Sequence, residues 1–231
     1  MLVPTLIVIV NSDISAKGSA KVINRNASHK EGSRICETKK IIIIGDSHAR
    51  GCARKISNYI GKAFEVSRMV MPGAGLAHIT TVAHEEISNL TSDDAVVIWG
   101  GSNDVNKNGM SHGLKHLQNF INHRSNTNIL ALAAPHRHNL WETSCVNKEV
   151  QVFSRKLHKI FKAKDNVTII EINIQRNDFT QHGLHQNTAG KEKVAEMIAE
   201  NIKQQLRVKK KKNIPVTFDE EGNPKDVWPE L

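Results

Sequence analysis

Little in this sequence would hold it together covalently or anchor it in a bilayer. Three cysteines, Cys36, Cys52 and Cys145, are an odd number at wide, irregular spacing. They make neither a disulfide framework nor a zinc signature, and read as free thiols of a reducing, cytoplasmic compartment. No apolar run reaches the length of a bilayer-spanning helix. The opening MLVPTLIVIV is apolar but lacks a basic n-region and a small-residue cleavage site, so secretion is not expected. An added edge strand, or a start upstream of the domain, is the better reading of it.

A basic body is missing as well. The net charge is +9, from 32 Lys and Arg against 23 Asp and Glu. Residues 1–40 and 203–231 together hold 14 of the basic and 8 of the acidic residues. The 18 basic and 15 acidic residues between them leave a surplus of only +3. A nucleic-acid footprint on the body is therefore not expected. Weak, salt-sensitive contact through the basic end, Lys209 to Lys212, is the form such binding would take.

What is present divides into three parts. Residues 1–39 are a Ser-, Asn-, Lys- and Gly-rich leader behind the apolar opening, and residues 207–231 are a basic and then acidic tail, both read as disordered. Between them, residues 40–206 alternate short β-branched runs with longer amphipathic ones. Strands are expected at 41–45, 64–70, 94–100, 128–134 and 167–172, and helices near 50–61, 77–89, 111–123, 147–163 and 188–206. Continuous rather than alternating apolar runs mark strands buried on both faces. Five of them with helical crossovers predict a parallel sheet in a three-layer α/β/α domain.

The stretch KIIIIGDSHARG, residues 40–51, drives a buried strand straight into a small hydroxyl residue. Locally, Asp46 or Ser47 is explained equally well as a helix cap. The same kind of junction recurs, however, at MPGAG (71–75) and GGSND (100–104), and HGLHQNTAGK (182–191) precedes the last helix. Sites in open parallel sheets form just beyond the carboxyl ends of strands, where these segments fall. Asn103 and Asp104 have a competing reading as caps of the helix after the third strand, and His185 as a turn residue.

These four ordered blocks resemble those of the SGNH, or GDSL-type, hydrolase superfamily, including SGNH-like domains of some transposon-encoded proteins. The resemblance covers residues 40–206 and implies a flavodoxin-like five-stranded parallel sheet and a serine esterase mechanism without metal or organic cofactor. It implies Ser47 as nucleophile, His185 as general base, and the Gly73 NH and Asn103 amide as oxyanion donors. The substrate would be a small-molecule, lipid or carbohydrate ester. Physically, a serine hydroxyl needs an adjacent base, and the tetrahedral intermediate needs converging donors.

One departure stands out. The family's aspartate, three residues before its histidine, is His182 here, and a neutral imidazole cannot balance an imidazolium charge. Asp178, seven residues before His185, is the candidate replacement. Arg137, in APHRHNLW (134–141), is expected at the same rim, offering a positive charge to substrate. His136 and His138 lack a third ligand at a recognisable spacing, so no metal is expected. The rival reading is a domain of this type that has lost activity and serves as an RNA-binding or interaction module.

Overall fold

The structure, a computed structural model, describes residues 38–212, and side chains up to residue 207. The expected leader, the tail beyond 212, Cys36 and the Lys209–Lys212 side chains lie outside the described residues. The elements are β1 (Lys39–Gly45), α1 (Cys52–Ile60), β2 (Phe64–Val70), α2 (Leu76–Glu86), β3 (Ala95–Trp99) and α3 (Ser102–Asn106). They continue with α4 (Met110–Asn122), β4 (Asn128–Leu132), α5 (Cys145–Phe161), β5 (Val167–Ile170) and α6 (Thr188–Lys212). All five strands pair in parallel, in the order β2-β1-β3-β4-β5.

The isoleucine run explains the layers. Successive strand side chains face opposite ways. Ile41 and Ile43 pack with α1 and α6, against Ile56, Ile198 and Ile202. Ile44, with Ile42 at its margin, joins Leu117, Phe153 and Leu157 of α4 and α5 on the other face. Each fully buried isoleucine contributes about 1.5–3 kcal/mol of transfer free energy. Both faces of β1 thus favour burial, so no polar break is needed until the strand ends.

The run ends in Gly45 because two strands close in there. A Cβ on Gly45 would stand 2.4 Å from the Trp99 carbonyl oxygen of β3. Beyond Gly45 the ladder gives way to single bonds, Asp46 NH to Trp99 O at 3.0 Å and Met71 NH to Gly45 O at 2.8 Å. Connections leave in opposite directions on either side of the β1–β3 pair, which opens a crevice at their carboxyl ends.

Some boundaries differ from expectation. The third strand begins at Ala95, because the Asp94 carboxylate accepts hydrogen bonds from Lys40 NH and Thr91 NH instead of continuing the face of the sheet. The fourth and fifth strands end two residues early, at Leu132 and Ile170. Helix α6 continues six residues past 206. Helix α3, five residues long, was not expected. Among the described residues no helix is long and apolar enough to cross a membrane.

Candidate active site

Asp46, rather than Ser47, caps the turn that follows β1. Its Oδ1 accepts a hydrogen bond from His48 NH at 2.9 Å, and Ser47–Ala49 form one 3-10 turn. Ser47 is half-buried at the start of that turn, and its Oγ makes no hydrogen bond among the described residues, to His185 included. Gly73, exposed after β2, has φ +76 and open space where a Cβ would stand. A side chain there would strain the backbone and crowd the approach to its NH.

Asn103 ties these loops together. From the first turn of α3, its Nδ2 donates to Ala74 O at 3.0 Å and to Asp46 Oδ2 at 3.2 Å. Asp104 reaches from the same turn to another helix, accepting from Leu76 NH at 2.9 and 3.2 Å through its two oxygens. It therefore holds the amino end of α2, directly after the Gly73 loop, and leaves its own helix uncapped.

His185 arrives from the far side of the chain on a closed loop. Thr180 NH donates to His185 O at 2.8 Å, Asn187 NH to Asp178 O at 2.9 Å, and Phe179 and Gln186 form an antiparallel bridge. The His185 ring lies 5.1 Å from that of His48, the neighbour of Ser47. His48 is buried, bonded at Nδ1 to Gln186 Oε1 (3.2 Å) and stacked on Trp99. Burial lowers the proton affinity of His185; the nearby His48 lowers it further, and Asp46 opposes both. Burial likewise pushes the Asp46 carboxyl up to about 6, against the His48 NH and the charge of His185.

The expected carboxylate substitute, Asp178, is engaged elsewhere. Asp178 is buried and spends its oxygens on Lys193 Nζ, at 2.7 and 3.0 Å, and on Gln175 NH at 2.9 Å. The Lys193 ammonium holds its carboxyl below the usual range. His182 is exposed. His185 Nδ1 is buried without a hydrogen-bond partner, so neither residue orients the ring. Arg137 stands half-buried at the rim, its Nη1 donating to Asn106 Oδ1 of α3 at 2.8 Å. His136 and His138 are neighbours, their rings 5.1 Å apart, and among the described residues no three His, Cys, Asp or Glu side chains gather as a metal set.

The geometry thus gathers the loops of Ser47, Gly73, Asn103 and His185. It adds two residues that sequence reasoning passed over, His48 and Gln186, and gives Asp46, expected only as a cap, a second contact with Asn103. His48 stood in the quoted GDSH block, but its partner Gln186 is 138 residues away, and no local pattern links them.

No protein-family model matches the sequence, and no curated protein matches it. Solved structures do match its fold. The acetylxylan esterase Axe2 from Geobacillus stearothermophilus superposes with a TM-score of 0.58 at 14% identity, over 74% of this chain and 96% of that one. The chain has the SGNH-hydrolase fold. A carbohydrate esterase family 3 protein from Talaromyces cellulolyticus is similar at TM-score 0.58 and 14% identity, over 74% of this chain and 99% of that one. The catalytic domain of peptidoglycan O-acetyltransferase A from Streptococcus pneumoniae, carrying a methylsulfonyl adduct, reaches 0.57 at 13% identity, over 75% and 94%. The SGNH fold accounts for the sheet order and for the crevice in which Ser47 lies.

Proposed function

We propose that the protein is a serine esterase that cleaves carboxylic esters, acetyl or longer acyl, through an acyl-enzyme on Ser47. The observation that carries this reading is the Asn103 amide, bonded at once to the Gly73 loop through Ala74 O and to the Ser47 turn through Asp46 Oδ2. One side chain ties three strand ends into a single pocket, as a tetrahedral intermediate requires. The fold neighbours named as esterases support the substrate class.

In this mechanism Ser47 Oγ attacks the ester carbonyl and passes its proton to His185 Nε2. The oxyanion takes hydrogen bonds from Ser47 NH, Gly73 NH and the Asn103 amide, whose longer bond to Asp46 is the one it displaces. The imidazolium returns the proton to the departing alcohol oxygen as the acyl-enzyme forms. Water, losing a proton to the same nitrogen, then releases the acid. With Nδ1 unpartnered, His185 and Ser47 work as a dyad, and Asp46 supplies the nearby negative charge.

That unpartnered nitrogen is also what favours the rival reading, an inactive domain used for RNA or protein binding. Labelling with a fluorophosphonate probe separates the two. The full chain should label and hydrolyse short aryl esters, and Ser47→Ala should do neither while keeping its circular dichroism. A folded protein that labels equally with and without Ser47 leaves the rival standing.

A further inference from the structure

Four cations stand beside the strand-end loops, three from connections and one from α6. Arg50 follows the Ser47 turn, and Lys191 stands in the first turn of α6, its Nζ 4.0 Å from where a Gly51 Cβ would begin. Lys107, at the end of α3, places Nζ 3.5 Å from Gly73 O. Arg137 leans on Asn106 from the loop after β4.

None of the four enters an ion pair among the described residues; those pairs use Lys39, Lys55, His158 and Lys193. The acids beneath them are buried and engaged, Asp46 with His48 NH and Asn103, Asp104 with Leu76 NH. Asp46 and Asp104 are buried whereas the four cations are exposed or half-buried, so the crevice presents positive charge to solvent. Burial chiefly lowers the proton affinity of His185 and of His48, and the cations add to it, Lys191 and Arg50 at His185 and Arg137 and Lys191 at His48.

This arrangement opposes the reaction of a neutral ester. A general base must become cationic in the transition state, and like charges around it disfavour that form. An anion bound among the four would offset their share of it.

We infer that the substrate carries a carboxylate or phosphate close to its scissile ester, held by Arg50, Lys107, Arg137 and Lys191. This rests on the esterase reading and names its substrate class. The test compares 4-acetoxybenzoate with its neutral amide, 4-acetoxybenzamide, and with 4-acetoxyphenyl phosphate, using the full chain.

At low ionic strength kcat/KM should favour each anion over the amide by about tenfold, a preference that shrinks as salt screens it. The anion-to-amide ratio should fall most of the way to unity in the double variant Arg50→Gln, Lys191→Gln. Preference for one anion alone assigns the pocket to carboxylate or to phosphate. Equal kcat/KM for anions and amide overturns the inference and leaves the esterase reading intact.

Calorimetric titration of Ser47→Ala with the same compounds separates the two ideas. Tighter binding of the anions that is lost in the double variant supports the anion site even if no ester is turned over, in which case the esterase reading fails and the site binds an anionic ligand that is not its substrate. Absence of any anion preference in binding overturns the inference. So does a single-stranded RNA oligonucleotide that occupies the crevice tightly and excludes 4-acetoxybenzoate, since the cations then serve a polyanion.

Discussion

Asp46 is fully buried, yet it titrates near 6 rather than at its ordinary 3.8. Because the folded value is the higher one, the native state binds more protons across that interval. Stability attributable to this group therefore falls as pH rises from 3.8 to about 6 and is level above it. The total is on the order of 3 kcal/mol, and Asp46→Asn should remove the slope in urea unfolding curves taken at successive pH values. His185 shifts the other way. Its acid limb in kcat/KM should lie below the ordinary imidazole value of 6.5. If position 182 serves as the family's aspartate slot, His182→Asp should bring a carboxylate to Nδ1, raise that limb and increase turnover about tenfold, on the order of 1.4 kcal/mol; an unchanged limb excludes that slot. Asp178→Asn should leave the limb in place, and lower stability by at most about 1 kcal/mol through loss of its ion pair with Lys193. At this scale the placement of Ser47, Gly73 and Asn103 after β1, β2 and β3, and of His185 before α6, is legible in the sequence, because it follows from the strand ends and the last amphipathic run. The titration behaviour of Asp46 and His48 is hidden, since it comes from neighbours brought close only by the fold.

Among the elements, the five strands are legible because isoleucine and valine runs can be buried only between two layers. Helix α3 is not, because five residues after a glycine show no helical period. The same shortness hides what Asp104 does. A cap is normally sought on its own helix, whereas Asp104 serves α2, 28 residues earlier in the chain. Asp104→Ala leaves Leu76 NH without this acceptor and should cost about 1–3 kcal/mol, measured by denaturant unfolding. It should also lower kcat more than it raises KM, because the Gly73 NH loses its support and that NH is needed most as charge develops.

Across the whole molecule, the densest basic run, Lys209 to Lys212, stands apart in sequence from the strand-end loops. Any affinity of the full chain for nucleic acid should fall steeply with salt and drop when residues 207–231 are removed, as fluorescence anisotropy would read it. The body has a different division. The loops of Ser47, Gly73 and Asn103 hang from β1, β2 and β3, which are hydrogen-bonded neighbours. His185 hangs from the loop that enters α6, and α6 is seated on α1 by side chains such as Ile56, Val194 and Ile198. The separation of Ser47 from His185, the proposed nucleophile and base, is therefore an adjustable length, set by those side chains together with the His48–Gln186 contact and not by the ladder. Ile198→Ala should lower kcat by about tenfold with little change in KM, a change that steady-state kinetics would detect. Selection for faster or slower variants of this protein would then find its substitutions along α6, at Val194, Ala195 and Ile198. None of them lies among the residues that form the pocket.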